Sequence, residues 1–466
     1  MNKTTCLLLL IFSYFFIVTN SHAQANLKKL KSQLKSVESA LEADSSNLEL
    51  MWNHAGINFE LGRVTNKIKY YRIARDQYNA LYELMPDNPR VHLLAYSSNY
   101  TLVWLGDTAD TTTLENLFNK FDRESKKSLT PPSTAKLLAR INNPKLYGDD
   151  LKSDEEVEKE YIKNLRDGIK EQPDFSANYQ MLSTLYSGQG KYSLAIAIAK
   201  QGLNKSPEDP TIFNKIGELY MELARSDSCG YNNEKEVKEA ETHFLKAIKI
   251  EPKAALYRSN ISEVYEYQRR HFLTLNEAKK AYELDPKLET LERLILVETI
   301  YGSEDKASTL IKTMSKKHGS AEAKYSKASL AMYQHNFSKA YKFSSVDQYS
   351  YVYSYLSKGI YGDQAKKKKG SLYFAEKALK NKYIVDRERD LAEYLANKIS
   401  YEKLVESNAT SCDELEAHFY YGYKSMLNGD FSTAKTQFEK TLDFDFPSYT
   451  EHDLAKFFLQ EISVKN

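Results

Sequence analysis

The residues of this 466-residue chain that could do chemistry are dispersed rather than convergent. Beyond His22, eight histidines stand at positions 54, 92, 243, 271, 318, 335, 418 and 452, and none pairs at i, i+4 with a second ligand in a zinc motif. There is no GxGxxG, no phosphate loop, no HExxH, no CxxC and no GxSxG elbow. Asp443-Phe444-Asp445 lacks the turn glycine and distal glutamate of a calcium loop. Catalysis needs acid, base or nucleophile to meet in a pocket. The pattern therefore predicts an activity that is not enzymatic and needs neither metal nor cofactor. His243 and His418 fall on core-bearing helical stripes and read as packed or hydrogen-bonded side chains. Lys366–Lys369 reads as a solvated loop, because no aromatic residues interleave with the lysines.

Composition narrows the function classes further. Lys+Arg total 65 against 63 Asp+Glu, a net charge of +2, so no global field draws nucleic acid. Gly 17 and Pro 11 are too few for a collagen-like or low-complexity chain. At the N-terminus, Lys3, the apolar run Leu7–Val18 and Ser21-His22-Ala23 read as a secretory signal peptide over residues 1–23. No other stretch is long and apolar enough to span a bilayer, which predicts an exported protein, periplasmic or secreted, without stable membrane insertion. Cys6 precedes the apolar run, so it is not placed to carry a lipid. Cys229 and Cys412 are too few for a disulfide framework and lie several modules apart, which predicts two free thiols.

A 34-residue period organises the rest. In 176–209, Tyr179, Leu182 and Tyr186 form one helical stripe, Gly188 and Gly190 break it, Ala195, Ala199 and Leu203 form a second, and Pro207 ends the unit. Phe213, Ile216, Gly217 and Tyr220, then Ala240, Phe244, Ala247, Ile248 and Pro252, repeat the pattern with about eleven extra residues. Ile261, Tyr265, Thr274, Ala278, Ala281 and Pro286 repeat it again. An earlier unit runs through Trp52, Gly56, Phe59, Ala74, Tyr78 and Pro86, and a late one through Gly422, Ala434 and Phe438. Units around Ala328, Phe337 and Ala340, and around Gly359, Ala375, Ala378 and Leu379, are degenerate.

These residues resemble the tetratricopeptide repeat (TPR) family. The resemblance implies an all-α fold, a right-handed superhelical solenoid of helix–turn–helix repeats. It divides the chain into an N-terminal capping helix over 24–46, repeats over 47–106, an irregular insertion over 107–153, well-formed repeats over 154–288, and degenerate repeats with a last unit and capping helix over 289–466. The seam Leu27, Leu30, Leu34, Val37 and Leu41 suits a cap, with a short coiled coil or a membrane-surface helix as alternatives. The insertion could serve binding or merely cover a groove.

The resemblance also implies that first helices line a concave groove and bind a protein or peptide partner. The inner positions would be Asn53, Gln180, Thr184, Asn214, Glu218, Ser259, Glu263 and Glu266. Glutamates at 218, 263 and 266 oppose a clamp for a terminal carboxylate and favour a neutral or basic segment, or a partner helix. An alternative is glycan binding through surface tyrosines, prompted by Tyr349, Tyr351, Tyr353 and Tyr355. The repeat architecture itself leads one to expect an open groove rather than an enclosed pocket.

Overall fold

The computed structural model describes residues 20–126, 129–227, 233–346, 352–381, 384–444 and 449–465. The apolar run over 7–18, Cys6, Cys229, Tyr349, Tyr351 and Asp445 lie outside them. Every regular element among the described residues is helical. Two units divide the chain, residues 1–212 and 213–466.

In the first unit, α1 (Asn20–Ala43) packs on α2 (Leu48–Thr65), which pairs with α3 (Ile68–Leu84). Then come α4 (Pro89–Trp104), α5 (Thr112–Lys120), α6 (Arg123–Lys126), α7 (Pro132–Asn142), α8 (Asp154–Glu171), α9 (Ser176–Gly188) and α10 (Tyr192–Lys205). Leu30 of α1 is buried, and Leu27, Leu34, Val37 and Leu41 are half-buried. Side-chain caps fix the start of some helices. Asn47 accepts from the Leu50 amide at 3.1 Å, and Ser153 and Glu156 form a capping box at the head of α8.

The segment 107–153 is not a free insertion. Pro132 begins a helix, since proline is tolerated at the first helical position. The helix that follows, α7, buries Leu137, Leu138 and Ile141 and packs between α4 and α8, acting as the first helix of a regular pair.

The second unit contains α11 (Pro210–Asp227), α12 (Glu234–Ile250), α13 (Ala255–Tyr267), α14 (His271–Leu284), α15 (Leu288–Tyr301), α16 (Glu304–Lys317), α17 (Ala323–Tyr333) and α18 (Phe337–Phe343). It continues through α19 (Val352–Gln364), α20 (Ser371–Ala378), α21 (Asp386–Leu395), α22 (Tyr401–Glu406), α23 (Ser411–Leu427), α24 (Phe431–Asp443) and α25 (Thr450–Lys465). Helices pair where small residues let a ring in. A Cβ on Gly217 would sit 2.7 Å from the buried Phe244 ring, and one on Gly359 would sit 2.7 Å from the Ser371 backbone. Ala240, Ala375 and Ala434 are fully buried at the facing positions.

The turn inside a pair repeats too. Asn66, Gly190, Arg269, His335, Lys366, Asn397 and Gly429 all have positive φ. The last four fall 31, 31 and 32 residues apart, so the degenerate region keeps a near-regular module in its backbone. Non-glycine residues adopt this conformation at some cost, so surrounding packing must hold them there.

The last helix does more than cap. From α25, Phe457 meets Phe337 at 5.1 Å between ring centroids, and Asp453 accepts from the Tyr333 hydroxyl. The core of 331–462 is thereby closed around Phe419, Tyr423, Phe438 and Phe458. Phe458 is 1% exposed and lies 5.4 to 6.4 Å from the other three rings. Phe458→Ala should cost about 3–5 kcal/mol in urea unfolding, and a loss below about 1 kcal/mol would show that α25 does not close this core.

Candidate functional site

The first-helix face predicted to bind is more interlocked than its sequence suggested. In the second unit, Asn214 Nδ2 donates to Glu218 Oε1 at 2.6 Å, and Asn260 Nδ2 of α13 donates to Asn214 Oδ1 at 2.8 Å. Lys215 lies 2.8 Å from Glu218, Arg225 is 2.6 Å from Glu263, and Arg293 of α15 is 2.7 Å from Glu266. Tyr301 also donates to Glu266, at 3.0 Å. Five of the eight expected residues thus lie along α11 and α13, Ser259 among them and half-buried.

Three expectations about exposure are corrected. Thr184, Asn214 and Glu266 are buried, at 3%, 5% and 8% exposure. Thr184 donates to the Gln180 carbonyl oxygen at 2.9 Å, and Gln180 Nε2 donates to Thr211 at 2.7 Å. Asn53 is exposed on α2, with several helices of the same unit between it and Gln180 in the chain. The glutamates do not present free negative charge. Each has a cation in place, and two of those cations come from a neighbouring first helix, beyond the reach of helical spacing rules.

Other expectations resolve locally. His54 shares a hydrogen bond with Gln77 at 2.6 Å, His92 with the Leu117 carbonyl at 2.8 Å, His243 with the Glu239 carbonyl at 2.8 Å, and His418 with Gln437 at 2.7 Å. Burial holds His92 below its usual range. Among the described residues no group of three or more His, Cys, Asp or Glu could hold a metal ion, and no helix is long and apolar enough to cross a membrane. Cys412 is disulfide-bonded, which corrects the expectation of a free thiol there; its partner lies outside the described residues. Of the tyrosines that prompted a glycan reading, Tyr355 is 3% exposed and Tyr353 is half-buried, so neither is a surface platform.

A pocket that sequence reasoning did not anticipate lies in the second unit. It measures about 410 Å³ and is lined by Tyr325, Tyr333, Tyr353, Tyr361 and Phe343, together with serines of α17 and α19 and Thr450 of α25. It exists because α25 returns to α17, a contact between residues 120 positions apart that no local pattern signals.

Paired helices, a left-handed residue at the turn and a small residue facing an aromatic ring recur through both units. The fold is TPR-like. No family model and no curated protein matches the chain. Among solved structures, it is similar to a tetratricopeptide repeat protein from Parabacteroides merdae, at 15% identity and a TM-score of 0.41 over 52% of this chain and 94% of that one. It is similar to yeast Tom70 at 16% identity and a TM-score of 0.41, over 94% of this chain and 93% of that one. It is also similar to YrrB, described as a TPR protein with an unusual peptide-binding site, at 18% identity and a TM-score of 0.31, over 46% and 99%.

Behind the pocket of this TPR-like chain, two carboxylates are buried together. Tyr420 donates to Glu451 at 2.8 Å, and Tyr449 donates to Glu416 at 2.6 Å. Arg387 Nε lies 3.5 Å from Glu416 and 3.3 Å from Asp413. Burial, reinforced by the charge of Glu416, pushes Glu451 up to about 7 even though it sits in the first turn of α25. The helix N-terminus is worth about 2 kcal/mol at most at a buried site, whereas a shift of this size is worth about 3 kcal/mol, so burial prevails. The folded protein therefore holds a proton that the unfolded chain releases, and stability falls as pH rises from the ordinary carboxylate range to about 7. Glu451→Gln keeps the site neutral. Its melting temperature should exceed that of the wild type at pH 8 and match it near pH 5; an equal shift at both pH values would assign the effect to another group.

Proposed function

We propose that this chain is an exported, non-catalytic interaction scaffold that holds a segment of a partner protein against the first-helix face of residues 213–301. The observation that carries this reading is the cross-helix ladder Asn214–Asn260, Arg225–Glu263 and Arg293–Glu266. Side chains tied to one another on neighbouring helices have already lost much of their rotamer freedom, so a partner meets a preorganised surface.

The charge balance of the ladder refines the partner. With each glutamate matched by a cation, the face gives a lysine- or arginine-rich segment little advantage, and amides and hydroxyls suit an extended neutral backbone. Export rests on two features, the signal-like N-terminus and the disulfide at Cys412, because such bonds persist in oxidising compartments.

Linear peptides selected by display on the immobilised full chain provide the test. Ser259→Arg and Glu263→Arg should each weaken the best peptide about tenfold, with the melting temperature unchanged for Ser259→Arg and lowered for Glu263→Arg, which breaks the pair with Arg225, and with no enrichment of Lys or Arg among the winners. Peptides indifferent to both substitutions, or a selection that yields no binder, would overturn the assignment of this face.

A further inference from the structure

We propose that the pocket between α15, α17, α19 and α25 binds a small organic cation carrying an alkylammonium group. The inference is independent of the partner-segment reading, since it concerns a different surface and a different class of ligand.

The chemistry of the walls selects the ligand. Five aromatic rings, Tyr325, Tyr333, Tyr353, Tyr361 and Phe343, line about 410 Å³, a space suited to a small molecule. Among the described lining residues there is no Lys, Arg or His, so an anion finds no counter-charge. There is also no Asn, Gln, Asp or Glu to read the hydroxyl pattern of a sugar. Aromatic faces attract ammonium groups, most strongly where water is excluded.

The surroundings strengthen that preference. Tyr333 donates its hydroxyl proton to Asp453, and Tyr353 shares a hydrogen bond with Glu416. A phenol that donates to a carboxylate carries more electron density on its ring. Arg387 offsets part of the charge on Glu416, and His452 lies 3.4 Å from Asp453. Lys358 is not part of the lining, and its ammonium is held by the carbonyl oxygens of Tyr341 and Ser344. Burial also lowers its affinity for a proton.

Choline and its uncharged isostere 3,3-dimethylbutan-1-ol separate charge from shape, with glucose as the neutral polyol. Calorimetry on the full chain should show choline binding at least about fivefold tighter than the isostere and no heat from glucose. Tyr325 is 77% exposed, so Tyr325→Leu leaves the core intact; it should weaken choline severalfold and leave the isostere unaffected. Ser354→Trp, at an exposed lining position, should block the pocket. Equal binding of choline and isostere would make the site merely apolar. Preferential glucose binding would make it a polyol site, and absence of choline binding at 10 mM would refute it outright.

Discussion

Everything in this molecule depends on how closely two helix backbones can approach. Gly217 under Phe244, Gly202 under Tyr179, Gly62 under Tyr71 and Gly422 under Phe438 are four versions of one contact. In each, the absent Cβ leaves room for a ring from the partner helix. Protein interiors are packed as densely as organic crystals, so one methyl group in that space has nowhere to go. Successive first helices also stand close enough for Arg225 to reach Glu263 and Arg293 to reach Glu266.

Closure of the C-terminal half follows the same logic with a different outcome. There the stack ends in a helix whose aromatic residues fit both its own neighbours and an earlier pair. Returning α25 to α17 brings polar groups under the core edge, and they survive burial because tyrosine hydroxyls and Arg387 supply partners for Glu416, Glu451 and Asp453. Such a network is costly unless nearly complete, and it leaves an aromatic pocket backed by carboxylates. One chain therefore carries two surfaces of different character, an interlocked polar face and a partly open pocket walled by aromatic rings.

The well-formed modules between 176 and 288 were legible because glycine, alanine and terminal proline mark their close approaches and ends. The degenerate modules were legible only in part: Ala328, Ala340, Gly359 and Ala375 marked two of them, while the pair joined at Asn397 carries no such signal. Pro131-Pro132 is ambiguous in sequence, because proline both ends and starts helices, and the burial of Leu137 and Ile141 shows that a helix starts here. The positions of the candidate face could be counted from helical phase. The ion-pair partners of Glu263 and Glu266 could not, because those lie on other helices at separations of 38 and 27 residues. The pocket, the buried carboxylates and the bonded Cys412 all depend on long-range closure that no periodicity encodes.

The central claim is that ring and missing methyl are coupled, and a double-mutant cycle between Gly217 and Phe244 measures that coupling most directly. Gly217→Ala should cost about 1–3 kcal/mol in the wild type and markedly less once Phe244→Leu has removed the ring, a coupling of about 1 kcal/mol or more. The same cost in both backgrounds would contradict the account.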